Sequence, residues 1–188
     1  MKIAHLTDEL DIEEILRDVN EDRSISGFPE VSNIDFIETE LQERKRYYRN
    51  AIKDGLNRLP PKTLVSVMTE TVDNATGNGE QQAPELIDQL VDSYQVESQG
   101  FLQIEAESIQ KLITSISANA PSGEAVIEPL IDKLIGVTRN WDMVAQPIQL
   151  SVKSRGIDHQ ASNEVAYTIR NLAIELVNKY ELLPQSKR

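Results

Sequence analysis

The sequence predicts an all-α protein: a bundle of about five main helices, mostly antiparallel, preceded by a short N-terminal helical arm. Three observations carry that prediction. Apolar residues recur at steps of three and four over long stretches, the spacing of one buried helical face. Clusters rich in Pro, Gly, Asn and Ser interrupt those stretches at 60–61, 77–79, 119–123 and 154–156. No stretch reads convincingly as a strand, and apolar runs such as Leu64-Val65-Ser66-Val67 sit inside a longer helical period. With 188 residues and no cysteine, the chain is long enough to bury a core without disulfides or metals. Disulfide frameworks, thiolate metal sites and cysteine nucleophiles are excluded.

Residues 1–31 form the acidic arm and linker. Thr7 caps a short helix from Asp8 to about Val19, whose first turn is crowded with carboxylates. Ile12, Ile15, Leu16 and Val19 lie on one side of it. A helix this short is marginal alone, so it must dock, either on its own domain or on a partner or second copy. Residues 20–32, with Gly27 and Pro29, read as an irregular linker.

The bundle domain covers residues 32–183, and residues 184–188 read as a flexible tail. Ser32 or Asn33 caps a helix from Ile34 to about Arg58, which Pro60-Pro61 ends. Pro61 then sits in the first turn of a helix that stops at Gly77-Asn78-Gly79. Pro84 opens the longest helix, to about Ala118. Gly100 in its middle costs roughly 1 kcal/mol relative to alanine and marks where a kink or break would fall.

The next helix runs from near Glu124 to about Ser154 and carries the only tryptophan, Trp141, on an apolar row of Leu130, Leu134, Val137, Val144, Ile148 and Val152. Pro147, deep inside it, predicts a kink near Val144–Pro147. Gly156 serves as a C-cap, and Ser162 as the N-cap of a last helix to about Leu182.

The formal charge of −12 is uneven. Residues 1–58 hold 14 acidic and 9 basic side chains, residues 59–120 hold 9 and 2, and residues 121–188 hold 8 and 8. Such acidity, greatest in the middle, repels phosphate backbones and anionic membranes unless a local basic patch overrides it. The best such patch is Arg44 to Arg58, where Arg46, Arg49 and Lys53 share one helix face interleaved with Tyr47 and Tyr48. Glu40 and Glu43 provide local partners for it.

The chain carries few groups arranged for chemistry. His5 and His159 are the only histidines, and neither sits in a ligand spacing. Glu124, Glu128 and Asp132 share a face, as do Asp88 and Asp92, but each set reads as solvated. Gly77-Asn78-Gly79-Glu80 lacks the lysine of a phosphate-cradling loop, and no G-x-S-x-G is present. No catalytic, cofactor-binding or metal residue is therefore predicted.

The most varied polar set surrounds the tryptophan. Arg139, Trp141, Asp142, Gln146, Gln149, Arg155 and His159 combine an aromatic with arginines, a common interface composition. The competing reading is that Trp141 simply fills the core. No apolar signal-peptide region follows Met1, and no run approaches a membrane span. The expectation is a non-enzymatic interaction or regulatory protein of a bacterial cytoplasm, acting on a protein partner or on a second copy of itself without a cofactor. The alternatives are nucleic-acid association through the 44–58 face, and an enzyme or metal-binding bundle with an unrecognised polar site.

Overall fold

The computed structural model describes residues 6–7 and 9–180. From residue 12 onward the order is α1 (Ile12–Ile25), α2 (Ile34–Leu56), α3 (Pro61–Thr76), α4 (Glu85–Asn119), a 3-10 turn (Ala120–Ser122), α5 (Glu124–Ser154) and α6 (Gln160–Tyr180). No described residue belongs to a strand. By compactness the chain divides into two units, residues 1–64 with 84–90 and residues 65–83 with 91–188.

In the smaller unit α1 begins at Ile12, where the Asp11 carboxylate accepts from the Glu13 amide at 2.8 Å. Asp8 itself lies outside the described residues, but residues 9–11 are not helical, so Asp11 and not the expected Thr7 caps this helix. At its other end α1 runs on to Ile25, through residues expected as linker. The cause is Asn20, whose amide donates to Val31 O at 3.0 Å and accepts from Val31 N at 2.7 Å. That pair folds the following segment back while Asn20 stays helical. Arg23 reinforces the return, donating to Pro29 O at 2.7 Å with its guanidinium over the Phe28 ring. α1 packs along α2 but buries no residue fully. Asn33 caps α2 by accepting from Asp35 N.

The larger unit holds the main core. Ile109, Leu112, Ile113 and Ile116 of α4 meet Ile127, Ile131, Leu134, Trp141 and Ala145 of α5, and Leu172 and Leu176 of α6. The buried row of α5 therefore starts at Ile127 and Ile131, while the expected Leu130 and Val137 pack on the edge of the cluster. Both rows share Leu134, Trp141 and Ile148. Neither Gly100 in α4 nor Pro147 in α5 interrupts its helix. Pro147 gives no amide to Met143 O; one residue on, the Tyr94 hydroxyl of α4 donates to Val144 O at 2.8 Å. Burial pushes the Tyr94 phenol up to about 12.

α3 ends where the sequence places its stop. Gly77, Asn78 and Gly79 are all left-handed, with φ of 54°, 62° and 75°, and both Glu80 N and Gln81 N return to Thr76 O. Lys153 at the end of α5 pins this turn by donating to Asn78 O at 2.7 Å. α6 starts two residues before the expected cap at Ser162, and its continuation to Leu182 and the tail 184–188 lie outside the described residues.

Candidate functional site

Along α4 of the larger unit, Asp92, Gln95, Gln99, Gln103 and Gln110 recur at near-helical steps, beside an apolar row of Leu102, Ala106 and Ile109. On α6 the same steps bring Ala161, Glu164, Val165 and Thr168 to one face. These two faces and the α5 residues Trp141 and Ile148 line one groove of about 620 Å³, with His159 at its edge. The floor is apolar and the walls are amides and carboxylates. Val96, which also lines it, is 74% exposed, a β-branched apolar side chain left in water.

Trp141 is only 3% exposed. Its indole Nε1 donates to Leu102 O at 3.1 Å, tying α5 to α4 below the groove. The ring lies 6.3 Å from the His159 imidazole, centroid to centroid. His159 is fixed by a polar chain: the Gln149 amide nitrogen donates to Asp142 Oδ1 at 3.2 Å and to Ser162 Oγ at 2.8 Å, and Ser162 Oγ lies 2.6 Å from His159 Nδ1. Ser162 Oγ donates to Nδ1 or accepts from it according to the imidazole tautomer. Burial lowers the His159 pKa from 6.5 and favours the neutral form.

Four of the seven residues singled out around the tryptophan are thus brought together: Trp141 and His159 directly at the groove, and Asp142 and Gln149 through Ser162. Arg155 instead reaches back along its own helix, to Ser151 O and Oγ at 3.3 Å each. Arg139 and Gln146 are exposed on α5 and do not line the groove. The α4 wall and the α6 residues Glu164, Val165 and Thr168 were not anticipated. The signal for them was a row of neutral glutamines beside small and apolar residues in a chain otherwise rich in charge.

In the smaller unit, Arg46, Arg49 and Lys53 do share a face of α2, and all three line a cleft of about 350 Å³. Among the described residues, no three His, Cys, Asp or Glu side chains are placed to hold a metal ion. No helix of the described residues is long and apolar enough to cross a membrane. Compared with known proteins, the chain matches no family model, no curated protein and no solved structure.

Proposed function

We propose that this chain is a non-enzymatic interaction protein whose α4–α5–α6 groove takes a basic amphipathic helix from a protein partner. The character of the groove carries the reading. Its floor is apolar, four glutamines stand along one wall, and the fixed charges among its lining residues are the carboxylates of Asp92 and Glu164, with no lysine or arginine. A helix laid into such a groove buries an apolar stripe against Trp141, Ala106 and Val165. Lysines or arginines flanking that stripe meet the two carboxylates, while the glutamines donate and accept along the rim. The connections from α4 to α5 and from α5 to α6 are short, which favours an antiparallel arrangement of these three helices. A cysteine-free chain suits a reducing compartment such as the cytoplasm.

The test is a titration of the isotope-labelled full chain with a synthetic amphipathic peptide carrying leucines on one face and lysines beside them. Saturable amide shifts should concentrate at residues 92–110 and 161–168. A peptide with glutamate replacing each lysine should not bind. Binding of the acidic peptide instead, or shifts lying outside those two segments, would show that the groove does something else.

A further inference from the structure

The turn between α3 and α4 holds the one asparagine that precedes a glycine, Asn78-Gly79. Such a pair is open to attack by the chain on itself, because glycine has no Cβ to keep its nitrogen away from the neighbouring side chain. In that reaction the Gly79 nitrogen loses its proton to hydroxide and adds to Asn78 Cγ, ammonia leaves, and a cyclic imide closes. Water then opens the ring at either carbonyl. One opening restores the backbone with an aspartate at position 78. The other leaves an isoaspartyl link, in which the chain runs through the side chain and is one methylene longer. The step needs no oxidant and no enzyme.

The folded turn holds this pair apart from its own chemistry. The Asn78 side chain is exposed, and its backbone is left-handed with φ of 62°. The Gly79 nitrogen is closed off: its hydrogen points at Thr76 Oγ1, 3.0 Å away, and Thr76 is fully buried. The Thr76 hydroxyl is itself anchored, donating to Val72 O at 2.7 Å. On the other side of the same peptide group, Asn78 O accepts from Lys153 Nζ at 2.7 Å. Both polar atoms of the Asn78–Gly79 peptide are thus engaged, so it cannot swing its nitrogen toward Cγ. Gly79 is also buried against α5, where Leu150 O and the Lys153 stem leave no room for a Cβ. Hydroxide reaches the Gly79 hydrogen only when the turn opens.

We infer that Asn78 is a masked deamidation site, shut in the folded turn by Thr76 and Lys153 and reactive whenever that turn comes apart. Either product places a new carboxylate near Glu80, whose own carboxylate lies 3.7 Å from Lys153 Nζ. The isoaspartyl form also lengthens a turn whose three successive left-handed residues fix where α3 stops. Modification therefore records past openings of the turn and hinders its return.

Peptide mapping by mass spectrometry on the full chain, incubated at mildly alkaline pH with and without urea, tests the assignment. Asn78 should convert at least about tenfold more slowly in the folded chain than in urea. Thr76→Val keeps the side-chain shape without the acceptor and should speed conversion of the folded chain about fivefold. Ile131→Val lowers stability from within the α4–α5–α6 cluster, which this turn does not join, and should leave the rate unchanged. If Thr76→Val loses its native amide spectrum, Lys153→Met is read instead, with an acceleration of about threefold. Hydrogen exchange of the Gly79 amide should quicken in step with conversion, since both need hydroxide at the same N–H. The assignment is overturned if the folded chain and the chain in urea convert equally fast, or if Ile131→Val speeds conversion as much as the turn variant does. Rapid exchange of Gly79 in the unaltered protein would overturn it as well.

Discussion

His159 is a histidine held neutral by where it sits. Its Nδ1 lies 2.6 Å from Ser162 Oγ, its ring centroid lies 6.3 Å from that of Trp141, and burial lowers its pKa from 6.5. Between the lowered folded value and 6.5 the unfolded chain binds more protons than the folded one, so stability rises with pH there and falls on acidification. The imidazole proton signal should therefore titrate with a midpoint below 6.5, and urea midpoints should decline as the pH falls below that value. In His159→Gln that decline should be shallower. Trp141 sets a second expectation at this scale. Replacing it with phenylalanine removes the bond to Leu102 O and leaves unfilled space beside Ala145 and Leu134. The loss should be about 2–3 kcal/mol in chemical denaturation.

Among the elements, the α3–α4 turn has the least tolerance. Gly79 combines φ of 75° with a close approach to α5: a Cβ there would lie 2.8 Å from Lys153 Cδ and 3.1 Å from Leu150 O. The lysine tail can move, but the carbonyl of a helix cannot. Gly79→Ala should destabilise by about 2–4 kcal/mol, summing left-handed strain and overpacking, as read by urea denaturation. This turn was legible because everything that makes it is local: glycines supply positive φ and a helix stops. The same holds for Asn33 capping α2 and for Pro61 starting α3. Elements were misread where the deciding partner lies elsewhere in the chain. Asn20 continues α1 because Val31, eleven residues on, completes its amide. Ser162 is no N-cap because Gln149 of α5 and His159 claim its hydroxyl. Ile127 and Ile131 entered the core in place of Leu130 and Val137 because the direction from which α4 and α6 approach α5 is not written in the period of α5.

Across the whole molecule the two units carry unequal cores. The larger one holds a buried cluster drawn from α4, α5 and α6 and further buried side chains such as Met68 and Val72 of α3, whereas α1 buries none and α2 only Leu41. Local stability follows buried apolar contact. Native-state hydrogen exchange should find the slowest amides in α5 between Ile127 and Ile148 and the fastest helical amides in α1. Uniform protection across α1 and α5 would contradict that picture. The candidate sites show the same limit of sequence reading at this scale. The Arg46–Arg49–Lys53 face was visible because one helix makes it. The groove was not, since its two walls and floor come from three helices, and periodicity tells which face of a helix is apolar without telling which faces meet.

The burial of Trp141 has one more consequence. The chain has a single tryptophan, and that residue lies in the groove floor, bonded to one wall and with its ring centroid 6.3 Å from that of the histidine. Its fluorescence is accordingly a built-in optical probe of one spot. Emission from the indole reports the polarity above the floor and the charge of the neighbouring imidazole, so occupancy of the groove and protonation of His159 can both be followed on the unlabelled protein.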